Sequence, residues 1–81
     1  MRLDLFLKET RLIKRRTIAK ELCDAGKVLI NDKVSKPSAE VKEGDIVTLK
    51  VGFKEISGVA HIEVRGTREF PTVEQIGGND A

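Results

Sequence analysis

The spacing of the apolar residues changes at Gly26, and that change limits the fold more than any other feature of the chain. Before it the period is helical. Leu3, Phe6 and Leu7 recur at i, i+3 and i+4 within "LDLFLKE" (3–9). Ile18, Ala19, Leu22 and Cys23 form one stripe within "RRTIAKELCDA" (15–25), and Gly26 suits a left-handed C-cap. After it the signals are those of strands. "VLI" is a short β-rich run that ends at Asn31-Asp32, two residues that tolerate turns. In "IVTLKV" (46–51), Val47, Leu49 and Val51 alternate with Ile46, Thr48 and Lys50. In "VAHIEV" (59–64), Ala60, Ile62 and Val64 alternate with His61, Glu63 and Arg65. The sequence therefore predicts an α+β chain: two short helices, then strands of which the last two run antiparallel.

Apolar periodicity fades after Gly66. The expected organisation is one domain over 1–65 with a short flexible tail over 66–81. Lys36-Pro37-Ser38 and Glu43-Gly44-Asp45 read as surface loops between strands.

A chain of 81 residues makes a thin core and has little room for an enclosed substrate pocket. An enzyme site needs a nucleophile with its base, a metal cluster, or carboxylates in contrasting surroundings, and no such set occurs. One histidine and one cysteine do not make a usual zinc site. Cys23 reads as a small buried apolar residue and His61 as a solvent-facing strand residue. The expectation is a non-enzymatic protein without cofactor or metal. With no long apolar run and no leader pattern, it is expected in the cytoplasm and off the membrane.

Charge is the informative property. The net charge is only +2, but residues 1–38 hold ten Lys/Arg against five Asp/Glu, and residues 39–81 hold five against eight. One half is suited to a polyanion and the other to solvent. Phe6, Phe53 and Phe70 are the only aromatic residues, so a nucleic acid would be read through phosphates and shape more than through base stacking.

The basic charge concentrates in "RLIKRRT" (11–17), immediately before the second helical stretch. A helix N-terminus already carries partial positive charge, so cations there are unfavourable. Arg11, Lys14, Arg15 and Arg16 break that rule together, with no acidic residue between Glu9 and Glu21. If the stretch is helical or tightly turned, Arg11, Lys14 and Arg15 share a face at i, i+3 and i+4. Free helix N–H groups would add donors to the same place, and a guanidinium can take two phosphate oxygens at once. A strong anion at this spot would reconcile the pattern. By contrast, the mixed pairs Lys8-Glu9 and Lys20-Glu21 read as solvated surface.

The ordered set Arg2/Asp4, Arg11, Lys14-Arg15-Arg16, Gly26, Val28, Asn31, Lys36-Pro37 and Gly44-Asp45 resembles the ribosomal-protein-S-four-type, or alpha-L, RNA-binding domain. The resemblance is close over about 1–51 and looser over the last strand. It is nearest to the stand-alone RqcP-like members, which are related to the fifteen-kilodalton heat-shock protein. It implies two helices packed on a small, mostly antiparallel sheet. It also implies RNA contacts by Arg2, Arg11, Lys14, Arg15, Arg16 and Lys36, with Asp4 and Asn31 in support. The implied partners are large-subunit rRNA, peptidyl-tRNA on obstructed large ribosomal subunits, and an RqcH-type factor that adds C-terminal alanines; the implied state is a monomer. Two departures stand out. Asp32 replaces a frequent glycine after Asn31, and the long basic extension of the heat-shock relative is absent. The competing readings are an rRNA-binding ribosome-assembly factor and a basic module for DNA or an acidic protein.

Overall fold

The computed structural model describes residues 1–80. Helix α1 (Leu3–Glu9) and helix α2 (Arg16–Asp24) precede five strands, β1 (Val28–Ile30), β2 (Lys33–Val34), β3 (Ile46–Val51), β4 (Lys54–Arg65) and β5 (Arg68–Asp80). The strands form one sheet in the order β2-β1-β3-β4-β5, and every neighbouring pair is antiparallel. The α+β fold of two helices on an antiparallel sheet is thus as expected.

The core is small. Leu3, Phe6 and Leu7 of α1, Ala19 and Cys23 of α2, Val28, Val47, Leu49 and Ala60 of the sheet, and Val41 of a loop bury one another. Ile18 departs from the expected stripe and is 41% exposed. Ala19 and Cys23, four residues apart, form the buried seam, and a nine-residue helix needs little more. Helix α2 ends as expected. Gly26 takes φ +75°, its N–H donates to Cys23 O, and the Lys27 N–H donates to Leu22 O. That is the Schellman pattern.

Asn31 and Asp32 both have positive φ, 51° and 67°, and join β1 to β2 in two residues. The turn therefore takes the left-handed geometry that glycine would favour, despite Asp32. The Asn31 side chain fixes the turn to the sheet. Its amide donates to Asp45 Oδ1 at 3.1 Å, and its carbonyl accepts from the Ile46 N–H at 2.9 Å. Asn31 is a strut for the β1–β3 junction.

The segment expected to be a flexible tail is instead strand β5, paired with β4 from Arg65↔Arg68 to Lys54↔Asp80. Ala81 lies outside the described residues. Two physical features hide this strand. It is an edge strand with mostly exposed side chains, and only Pro71 and Val73 are half-buried on its inner face, too few to impose a clear alternation. A bulge between Ser57 and Gly58 also shifts its register, leaving Ile76 without a partner between Gln75 and Gly77. At the bulge Gly58 is pressed against β5. A Cβ there would lie 2.5 Å from Val73 Cγ2 and 3.0 Å from the Glu74 carbonyl oxygen. Gly58→Ala is expected to cost about 1–3 kcal/mol in urea unfolding, as for other overpacked sites. An unchanged unfolding midpoint would show that β5 can give way there.

His61 is tethered rather than simply solvated. Its Nδ1 lies 2.7 Å from Glu43 Oε2 and its Nε2 lies 3.3 Å from Glu74 Oε2. The hydrogen bonds to Glu43 and Glu74 raise its pKa above the usual histidine value. The Glu43 carboxylate also accepts the Ile62 N–H, so this cluster ties the loop before β3 to β4 and β5.

Candidate nucleic-acid interface

The site is built on Asp4. It is an acidic residue in the first turn of α1, where the helix field favours a carboxylate. The loop after β2 closes this end of the helix: the Leu3 N–H donates to Ala39 O at 2.8 Å and the Asp4 N–H to Pro37 O at 3.1 Å. Asp4 Oδ1 accepts the Leu5 N–H at 2.8 Å. These bonds fix a carboxylate whose side chain is only 4% exposed.

Two arginines meet on it. Arg2 Nε and Nη2 donate to Oδ1 and Oδ2 at 3.2 and 3.3 Å, and Arg16 Nε stands 3.4 Å from Oδ2. Burial works against ionisation of Asp4. The Leu5 N–H, the hydrogen bonds of Arg16 and Arg2 and the charge of Arg16 outweigh it, so the pKa lies below the usual carboxylate value. The arginine side chains are 53% and 47% exposed. Asp4 thus holds the inner edge of each guanidinium and leaves the remaining donors facing outward. Asp4, given an orienting role by the family resemblance, lies against both Arg2 and Arg16.

The N-terminus of α2 is as electropositive as its sequence promised. Its N-cap is Arg15, no side chain caps it, and its first turn has no acidic residue. Arg2, Arg16, Thr17 and Lys20 line one concavity in front of it, and Arg2, Lys20 and Lys36 share the rim of the next. Lys36 reaches this face because Pro37 and Ala39 are bonded to the start of α1. Lys20 is the addition that sequence reasoning missed. The pair Lys20-Glu21 read as mixed surface, yet Lys20 is four residues beyond Arg16 and so on the same helical face.

The rest of the basic run is arranged differently from its spacing. Residues 10–15 are a loop, so Arg11, Lys14 and Arg15 do not share a helical face. Arg11 has φ +63° just beyond α1, where glycine is favoured. Arg11 and Lys14 line a separate hollow with Lys8 and Glu9. The structure therefore divides the predicted set into Arg2, Arg16 and Lys36 on one face, where Lys20 joins them, and a neighbouring loop of Arg11, Lys14 and Arg15.

Cys23 lies behind this face and offers no thiolate to it. Burial, with the charges of Asp4 and Asp24, pushes the Cys23 thiol up to about 11, so it stays protonated at neutral pH. Among the described residues no group of three or more His, Cys, Asp or Glu could hold a metal ion. No helix among them is long and apolar enough to cross a membrane. What the face offers is two guanidiniums held by Asp4, with lysine ammonium groups and open helix N–H groups beside them, which is chemistry suited to phosphate.

Residues 1–47 match the model of the S4 domain family. The chain is 45% identical over 75 residues to the RQC P-site tRNA stabilizing factor of Halalkalibacterium halodurans, covering 93% of this chain and 81% of that one. The factor of the same name from Bacillus subtilis is 56% identical over 54 residues, 67% of this chain and 63% of that one. The fold is similar to the trimeric structure of Vibrio cholerae Heat Shock Protein 15, with TM-score 0.72, 32% identity, and coverage of 85% of this chain and 80% of that one. By these matches across fold and sequence, the chain belongs to the S4 domain family, in the group of the RQC P-site tRNA stabilizing factors.

Proposed function

We propose that this chain is a non-catalytic RNA-binding adaptor of ribosome-associated quality control. In this reading it binds obstructed large ribosomal subunits in the cytoplasm as a monomer and braces peptidyl-tRNA against large-subunit rRNA. By holding that tRNA in place it supports the addition of C-terminal alanines by an RqcH-type factor, without itself performing chemistry. Arg2, Arg16, Lys20 and Lys36 form the main contact, and Arg11, Lys14 and Arg15 form an adjoining one. Both tRNA and rRNA are polyanions, so one basic face can bridge them.

The observation that carries this reading is the pair Arg2 and Arg16 fixed on the buried carboxylate of Asp4 beside an uncapped helix N-terminus. A surface made only for solubility has no need of such ordering. The names of the relatives support the choice of tRNA and ribosome as the polyanion. Co-sedimentation with purified large subunits, with and without peptidyl-tRNA, tests it. Retention that depends on peptidyl-tRNA is expected. Equal retention on vacant subunits would favour a role in ribosome assembly, and no retention would sink both.

A further inference from the structure

The hollow in front of Arg16 opens sideways into a groove larger than a phosphate needs. The groove lies between α2 and the loop after β2 and encloses about 500 Å³. That is within the range of about 300–1,000 Å³ usual for ligand pockets. Arg2 and Lys20 line both the groove and the hollow of Arg16, so the two are continuous. Along α2, Arg16, Lys20 and Asp24 follow one another at four-residue steps. The row spans roughly 12 Å of helix, which leaves room for a phosphate at one end and a base at the other.

The two ends differ in chemistry. Beyond Lys20 the groove is lined by Cys23, Gly26 and Val34. Val34 lies outside the core and is 64% exposed, with its Cγ1 3.8 Å from where a Cβ on Gly26 would sit. An apolar wall suits the flat face of a base and offers nothing to a phosphate. Asp24 stands at this end too. It is the last residue of α2, where the helix field disfavours a carboxylate, and the last turn holds no basic residue to offset it. Among the described residues no cation pairs with it, not even Lys20 one turn before. Its charge contributes to the raised pKa of the Cys23 thiol, which puts it close to the groove floor. A carboxylate repels phosphate and accepts from N–H donors, which a nucleobase has and a phosphodiester lacks. Guanine presents two adjacent donors, N1–H and N2–H, to the two carboxylate oxygens. Adenine, cytosine and uracil each present a single donor group. Base pairing uses up these donors, so the base must be unpaired.

We propose that the groove between α2 and the loop after β2 takes one unpaired nucleotide of the bound RNA, with guanosine preferred. Its phosphate lies on Arg2 and Lys20, its base along Val34, and its Watson–Crick edge on the carboxylate of Asp24. The proposal rests on the RNA-binding reading above and adds recognition of a loop or bulge to recognition of the backbone.

The test uses the whole chain and short RNA duplexes that are either fully paired or carry a single bulged G, A, C or U. Affinity is measured by fluorescence anisotropy across a salt series. The G bulge is expected to bind about tenfold more tightly than the paired duplex and the A bulge, as for one good two-point base contact. Asp24→Asn is expected to lose the preference for G over A with the salt slope kept, because no phosphate contact is removed. It should melt no lower than the parent, since a carboxylate leaves a helix C-terminus. Bulk charge alone would instead make this variant bind every duplex more tightly and equally. Equal affinity for the paired and all bulged duplexes, beside weakened binding by Arg16→Ala, overturns the groove site and leaves the proposed function standing. A bulge preference equal for all four bases, or one that Asp24→Asn leaves intact, reports the flexibility of the duplex and also overturns the proposal. Guanosine monophosphate that competes as well as the G-bulged duplex makes the ligand a free nucleotide and overturns the assignment to RNA. If Arg16→Ala binds every duplex as the parent does, the RNA-binding reading falls and this inference with it.

Discussion

Replacing Asp4 with alanine is expected to cost about 2–4 kcal/mol of folding free energy, the largest loss among single changes at this site. Three contributions make up that figure. The Leu5 N–H loses its acceptor inside the fold, and an unsatisfied buried donor costs about 1–3 kcal/mol. The first turn of α1 loses a carboxylate worth about 0.3–1 kcal/mol in the helix field. Arg2 and Arg16 lose a partner, but both are about half exposed, so solvent screening keeps that part small. Relief of the burial penalty on the charge offsets some of the total. Urea unfolding of Asp4→Ala beside Asp4→Asn separates the parts, because asparagine keeps an acceptor for Leu5 and removes only the charge. The sign of the pH effect is also fixed. The folded pKa of Asp4 lies below its unfolded value, so its contribution is full above the ordinary carboxylate pKa. It is lost as pH falls through the lower, folded value. The stability advantage of the parent over Asp4→Asn should therefore shrink in acid and stay constant from mildly acidic to neutral pH.

The same variant distinguishes positioning from bulk charge. Asp4→Asn raises the net charge from +2 by one unit. If only the total field attracted RNA, the variant would bind more tightly. If the ordering of Arg2 and Arg16 matters, it binds more weakly despite its added positive charge. The second result is expected, since a guanidinium released from its anchor must be ordered again on binding.

Much of this was legible in the sequence wherever a buried face imposed a period. Leu3, Phe6 and Leu7 announced α1, and the alternation of Val47 and Leu49 announced β3. The expectation that Asp4 orients an arginine came from its likeness to an acidic position in a known family, and in the structure Arg2 and Arg16 both lie on that carboxylate. Legibility failed where side chains are exposed. Strand β5 turns only Pro71 and Val73, both half-buried, toward the core, and the bulge at Ser57/Gly58 breaks the alternation beyond them. Residues 11–15 carry helical spacing by coincidence, for the chain turns through a positive φ at Arg11 and only then enters α2. Lys20 was hidden by its neighbour Glu21, although the four-residue step from Arg16 was the available signal.

Arginine stands three times where folding would choose another residue. Arg11 takes a left-handed conformation, Arg15 and Arg16 open a helix without a cap, and Arg65 faces Arg68. Each placement costs on the order of 0.5–2 kcal/mol by ordinary rules. On the proposed reading, a bound phosphate backbone would offset these costs at Arg11, Arg15 and Arg16.

The double variant Arg2→Ala/Arg16→Ala is accordingly expected to bind structured RNA about a hundredfold more weakly, and to keep its fold. A charge-assisted contact is worth about 1.5–3 kcal/mol, so two of them reach or exceed the 2.8 kcal/mol that a hundredfold loss represents. Stability changes less than in Asp4→Ala for a structural reason. Asp4 retains the Leu5 N–H, and one cation leaves the N-terminus of α2. The loss must also appear in the salt dependence. If Arg2, Arg16, Lys20 and Lys36 each neutralise one phosphate, together they contribute a slope of roughly −3 to −4, and the double variant loses about half of it. A melting temperature far below the parent would instead make the two arginines part of the scaffold. In cells the same variant, present at normal abundance, should fail to restore alanine tails on chains stalled by a missing stop codon, read by mass spectrometry. Cys23→Ser should restore them, apart from any effect of a polar atom in the core, because a thiol held at about 11 has no part in RNA binding. Tails that persist when the gene is deleted would rule out the quality-control role while leaving the phosphate-binding face intact as a property of the fold.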